Sequence, residues 1–210
     1  MRLSQAKSNP LNQLMSKLYF YYGCMNCGKS LSLLSKAYGF RERGIDVLLI
    51  KSTIDTRDSG VIRSRALSVE EQCLPISQEE NVFVKVSQAL SDGPDYKWIL
   101  VDECQFLTEK QVDQLAKVVD VLNINVICYG LRTDFQTKLF PGSKRLFEIA
   151  DKMEEMKSTC KCGNRASVNA RMDDKGRIVT EGDQVECGSE DKYVTLCRKC
   201  FYKEIKKTCK

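Results

Sequence analysis

Histidine is absent from this 210-residue chain. Its absence excludes a Ser-His-Asp triad, a Cys-His nucleophile and any His-ligated metal. A general base must then be a carboxylate, lysine, tyrosine or thiolate, and a zinc site must be built from sulfur or oxygen. Long apolar runs are missing too: none reaches membrane-spanning length, and none before Leu18 has the continuous core of a signal peptide. We therefore expect a cytoplasmic protein with no membrane partner. Excess charge is also scarce, since 33 basic and 28 acidic residues leave +5. That suits a small polyanionic ligand and is too weak to argue for nucleic acid. With 42% hydrophobic and 29% charged residues, wholesale disorder is excluded and a real core can form.

What is abundant is cysteine, eleven in all. In a reducing compartment structural disulfides are rare, so some thiols are expected to bind metal and the rest to be buried.

Residues 1–17 are polar and aperiodic, and we expect a disordered N-terminal extension. Leu18–Tyr22 reads as a short strand, Leu31–Tyr38 as a helix ending near Gly44, and Val47–Ile50 as a buried parallel strand. Ser52–Ser68 is polar and reads as a long mobile loop. Lys97–Glu103 is an apolar strand ending in two carboxylates. A helix follows from Thr108, which with Gln111 makes a capping box, and Val126–Gly130 is another buried strand. The alternation predicts an α/β domain over 18–150, a mostly parallel sheet flanked by helices; with the G-x-x-x-x-G-K-[ST] loop after its first strand, Gly23 to Ser30, it reads as P-loop NTPase-like. From Asp151 the apolar runs stop and clustered cysteines begin, so 151–210 is expected to be a small lobe that needs a metal. Its lysine-rich end reads as a solvated helix.

Gly23-Cys24-Met25-Asn26-Cys27-Gly28-Lys29-Ser30 fits G-x-x-x-x-G-K-[ST] between a strand and a helix. Glycines let backbone amides curl around phosphate, Lys29 reaches the β and γ phosphates, and Ser30 ligates Mg²⁺. Cys24 and Cys27 form a C-x-x-C within the loop, but a metal there would fill the space meant for phosphate. We read them as small residues tolerated in a tight turn. Asp102 and Glu103 close a strand at the sheet edge where such folds bind ligands. Asp102 is the candidate Mg²⁺ ligand and Glu103 the candidate proton acceptor, the alternative for Glu103 being a cap or salt bridge. Cys160-x-Cys162 and Cys197-x-x-Cys200 can converge on one structural zinc, four thiolates leaving no open position.

Taken together, these motifs resemble the zinc-containing, type II thymidine kinase family. The resemblance rests on Tyr21 to Ser30, Asp55-Thr56-Arg57, Asp102 to Phe106, Gly130 to Phe135, and Lys192-Tyr193 leading into Cys197 to Cys200. It implies transfer of the γ-phosphoryl of ATP to the 5′-hydroxyl of thymidine, giving dTMP, with deoxyuridine also accepted, in nucleotide salvage for DNA synthesis. It implies that Glu103 is the proton acceptor and that Asp102, Glu103, Cys104 and Gln105 form a nucleotide-binding stretch. Met25, Phe106, Leu131, Phe135 and Phe140 would line a thymine pocket, closed by a loop around Val185, Glu186, Cys187, Gly188 and Tyr193. The cysteine quartet matches the zinc ligands. A homotetramer inhibited by dTTP is implied as well. With Lys29, Arg57 (or Arg65) is expected to neutralise transition-state charge.

Two other readings compete. A regulatory GTPase would show an N-K-x-D guanine reader, and the chain has none. A zinc-ribbon nucleic-acid module would explain the cysteines and basic tail but not the phosphate loop.

Overall fold

The computed structural model describes residues 15–53, 60–64, 67–185 and 192–208. Its centre is a six-stranded sheet in the order β5-β2-β6-β7-β1-β8. These strands are β1 (Leu18–Gly23), β2 (Val47–Ser52), β5 (Leu74–Ile76), β6 (Trp98–Asp102), β7 (Asn125–Leu131) and β8 (Lys152–Met156). Every neighbouring pair is parallel, so each connection must cross over a face of the sheet.

Alternation along the inner strands sends successive side chains to opposite faces, and both faces are buried. Phe20, Leu48, Ile50, Ile99, Val101, Val126 and Cys128 share one core with α2 (Val82–Asp92), α3 (Glu109–Leu122) and α4 (Pro141–Ile149). Val47, Leu49, Leu100, Ile127 and Tyr129 meet Leu33, Leu34 and Ala37 of α1 (Lys29–Arg41) on the other face. The expected Thr108–Gln111 box opens α3 with both reciprocal hydrogen bonds in place.

Two elements differ from the expectation. The polar stretch Ser52–Ser68, expected as a loop, contains strand β3 (Val61–Ser64), which forms an antiparallel hairpin with β4 (Val69–Gln72) just beyond it. Its polar composition hides one anchor, Ile62, which is fully buried against α1, while Glu71 pairs with Arg41. The sheet also continues past Asp151: β8 pairs with β1 from Tyr19↔Lys152 to Gly23↔Met156. As an edge strand with largely exposed side chains it carries charge rather than an apolar run.

Beyond β8 lie two short antiparallel pairs, β9 (Ser158–Thr159) with β10 (Arg165–Ala166), and β11 (Val168–Arg171) with β12 (Tyr193–Leu196). Helix α5 (Arg198–Thr208) closes this lobe. Its core is small: Ala166, Val168, Ala170, Ile178, Leu196 and Phe201 around Cys160 and Cys197. Lys199, Lys203, Lys206 and Lys207 are exposed.

Candidate active site

The loop between β1 and α1 is built by its backbone. Gly28, the N-cap of α1, has φ 83, and Asn26 has φ 58. Left-handed residues in such a loop aim successive amides inward, a cradle for an anion. Gly23 is required for a different reason. A Cβ there would lie 2.6 Å from both the Cys27 sulfur and the Met156 carbonyl. The Lys29 ammonium is buried and donates to the Cys24 carbonyl at 2.8 Å, with the Cys27 sulfur 3.7 Å away. Burial pushes the Cys24 thiol up despite Arg132 and Lys29 nearby. A protonated, buried thiol is a poor redox group, which supports the reading of Cys24 as a small packing residue.

Strand β6 brings Asp102 to the same place, although β7 separates it from β1 in the sheet. Ser30 Oγ donates to Asp102 Oδ2 at 2.9 Å. Asp102 Oδ1 is buried with no hydrogen-bond partner. Burial first, and then the Glu103 charge, raise its carboxyl from 3.8 to about 7. An orphaned carboxylate oxygen beside a serine hydroxyl fits a divalent cation such as Mg²⁺, whose ligands are oxygens.

Glu103 stands at φ 51, ψ 38, where the chain leaves β6 and enters a 3₁₀ turn over Cys104–Phe106. This kink frees its half-buried carboxylate from the strand's alternation. Gln105, 1% exposed, holds it by donating to Glu103 Oε2 while its own carbonyl accepts from the Leu131 amide at 3.0 Å. Cys104 is fully buried in the sheet core. Of the expected nucleotide-binding stretch Asp102 to Gln105, the last two side chains therefore point inward, Gln105 toward Glu103 and Cys104 into the core.

The expected pocket residues fall into place unevenly. Phe106 and Phe140 meet edge-on at 5.7 Å. Leu131, Phe135 and Phe140 are buried, and Met25, Val185 and Tyr193 are half-buried. Arg57, Arg65, Glu186, Cys187 and Gly188 lie outside the described residues.

Three side chains to which sequence reasoning gave no role hold these parts together, Asp134 having been named only within the Gly130 to Phe135 motif. Asn169 of β11 accepts from the Met25 amide at 2.8 Å and donates to the Thr133 carbonyl at 3.0 Å. It thereby ties the small lobe to the phosphate loop. Asp134 accepts from the Lys138 amide and from Gln184. Arg171, only 6% exposed, lies over the Phe135 ring at 3.8 Å. A polar residue inside a four-residue strand was the available signal for Asn169 and Arg171, but a single strand period does not say which face is buried.

In the small lobe, the Gly163 turn (φ 84) and the first turn of α5 bring four sulfurs together. The sulfurs of Cys160, Cys162, Cys197 and Cys200 all lie within 4.8 Å of one another, with Cys162 and Cys197 3.6 Å apart. Zn–S bonds of about 2.3 Å imply tetrahedral S–S edges of about 3.8 Å. The quartet fits zinc.

A parallel α/β sheet, a phosphate loop after its first strand and an acidic strand end against that loop's serine define a P-loop nucleotide-binding protein. The family model for thymidine kinase matches residues 16–201. The thymidine kinase of Pasteurella multocida (strain Pm70) is 46% identical over 191 residues, covering 90% of this chain and 98% of the relative. That of Zymomonas mobilis subsp. mobilis is 45% identical over 192 residues, covering 91% and 98%. That of Legionella pneumophila (strain Lens) is 45% identical over 185 residues, covering 88% of each. The chain belongs to the thymidine kinase family. Among the described residues, no helix is long and apolar enough to cross a membrane.

Proposed function

We propose that this protein transfers the γ-phosphoryl of ATP to the 5′-hydroxyl of thymidine, giving dTMP, and that it also accepts deoxyuridine. The observation that carries the proposal is the 2.9 Å contact between Ser30 and Asp102. It puts the phosphate loop and the acidic end of β6 in one site, in a chain of this family.

Lys29 and the loop amides hold the triphosphate, and Ser30 and Asp102 are the residues that would hold Mg²⁺. The cation, when bound, neutralises charge on the phosphate oxygens. Glu103 takes the proton of the attacking hydroxyl, and Gln105 keeps its carboxylate aimed. Met25, Phe106, Leu131, Phe135, Phe140, Val185 and Tyr193 enclose the base, with Glu186, Cys187 and Gly188 completing the loop over it. Arg57 adds positive charge at the transferring phosphoryl. Positioning and electrostatics supply most of the acceleration in such a reaction. Zinc on the four cysteines is structural, because no coordination position stays open. In this reading dTTP offers the base and a triphosphate to the same cleft and inhibits, and the working form is a cytoplasmic homotetramer serving thymidine salvage.

The test is a phosphate-transfer assay with ATP and a panel of nucleosides, run beside Glu103→Gln. We expect thymidine and deoxyuridine to be phosphorylated. The variant should keep ATP binding by calorimetry and lose turnover by about two to four orders of magnitude. Near-normal turnover in the variant removes Glu103 from the role, and a panel with no accepted nucleoside overturns the function.

A further inference from the structure

Arg171 ends β11 and is 6% exposed. Burying a guanidinium is costly unless its charge and donors are matched. Here its central carbon, Cζ, lies over the Phe135 ring, 3.8 Å from the centroid and well within cation–π range. One arm, Nη1, donates to the Asp183 carbonyl at 3.2 Å and the other, Nη2, to the Glu181 carbonyl at 3.3 Å. Gly182 sits between those carbonyls at φ 131, and a Cβ on it would strike the Arg171 Nη2 atom. The same backbone stretch is held at both ends. Gln136 donates to the Thr180 carbonyl at 3.2 Å, and Gln184 donates to Asp134 at 2.8 Å.

One arginine therefore joins the aromatic ring of residue 135 to the chain segment that delivers Val185. We propose that Arg171 is a positioning residue for the nucleoside: it fixes the Phe135 ring and the 180–184 segment relative to each other, so that the thymidine pocket is formed before the nucleoside enters. The inference rests on the assignment of Phe135 and Val185 to that pocket. The contacts of Arg171 named above fall on the Phe135 ring and the 180–184 segment, so the effect is expected first on the nucleoside. Lysine cannot replace it. An ammonium keeps the charge but lacks the planar fork that reaches two carbonyls while its central carbon sits over a ring.

The test is steady-state kinetics of Arg171→Lys and Gly182→Ala, with both KM values and the thermal midpoint measured on the same preparations. Gly182→Ala leaves Arg171 in place, crowds its guanidinium from the other side and strains the backbone at φ 131, so it perturbs the junction between Arg171 and the 180–184 segment from the segment's side. We expect KM for thymidine to rise by about tenfold or more in both variants, with KM for ATP within about twofold and kcat within about threefold of wild type. A merely structural role predicts the opposite pattern: activity falls with the folded fraction and neither KM moves. That result in Gly182→Ala overturns the inference even if Arg171→Lys fails to fold. Wild-type protein inactive on thymidine overturns the functional reading instead, and the inference with it, so the two failures are told apart by the wild-type assay.

Discussion

Asp102 carries a cost that the fold alone does not justify. It is 3% exposed, its Oδ1 has no partner, and its carboxyl is raised from 3.8 to about 7, by burial before all else. Between those two values the folded protein binds a proton that the unfolded chain has released. Stability from this group is therefore complete at acidic pH and is lost as the pH rises through about 7. Asp102→Asn removes the titration while keeping an acceptor for Ser30. In the absence of nucleotide and Mg²⁺, the variant should melt above wild type at pH 8, with the gap closing toward pH 5, and it should turn over poorly. Parallel melting curves across that range, followed by circular dichroism, would discard this account. Such a residue was legible in the sequence because phosphate and metal chemistry demands fixed residue types at fixed spacing, as in Gly23 to Ser30 and Asp102-Glu103. Asn169 and Arg171 were not, because the hydrogen bonds named for them above run to backbone groups. The Met25 amide is 144 residues away from Asn169, and a backbone acceptor leaves no mark on the sequence that supplies it.

Among the elements, legibility followed burial. The inner strands β2, β6 and β7 are apolar on both faces and stood out as continuous runs, and α3 announced itself by its cap. Strands β3 and β8 carry polar residues, β8 because most of its side chains face solvent, so composition alone assigned β3 to a loop and β8 to the lobe. Strand β7 also carries a constraint that periodicity cannot reveal. A Cβ on Gly130 would lie 2.5 Å from the Cys104 sulfur and 2.8 Å from Gln105 Oε1. Glycine lets the 3₁₀ turn press against β7 and keeps Gln105 under Glu103. Gly130→Ala should therefore lower kcat as well as stability, since the displaced amide no longer aims the carboxylate. Thr108→Ala makes the matching comparison. It removes one half of the α3 capping box and should cost about 1 kcal/mol of stability with kcat per folded molecule unchanged. Denaturant titration and turnover of both variants separate the two cases, and equal kcat in both would detach Gly130 from the site.

At the scale of the whole molecule, the small lobe is both the weakest part and a support for the chemistry. Its core has few large apolar side chains, and four of its cysteines converge on one point. A metal on those sulfurs would supply a large part of the folding energy of a lobe of this size. It also reaches the phosphate loop: Asn169, 3% exposed on β11, holds the Met25 amide, and Val168 at the start of that strand is registered against Leu196, next to Cys197. Loosening the sulfur cluster should therefore loosen β11 and, through Asn169, the loop between β1 and α1. Protein purified without chelator should contain about one zinc per chain, as four thiolates on one ion require. Removing the zinc should raise hydrogen exchange in 160–171 first and in 23–30 with it, and weaken ATP binding, although none of the four sulfurs belongs to the loop. Asn169→Leu keeps the zinc but breaks the link. In that variant the exchange in 23–30 should rise while 160–163 stays protected. A phosphate loop that exchanges and binds ATP identically with and without zinc would mean that the two parts of the chain are joined by sequence alone, and that Asn169 is a packing residue with no influence on the loop.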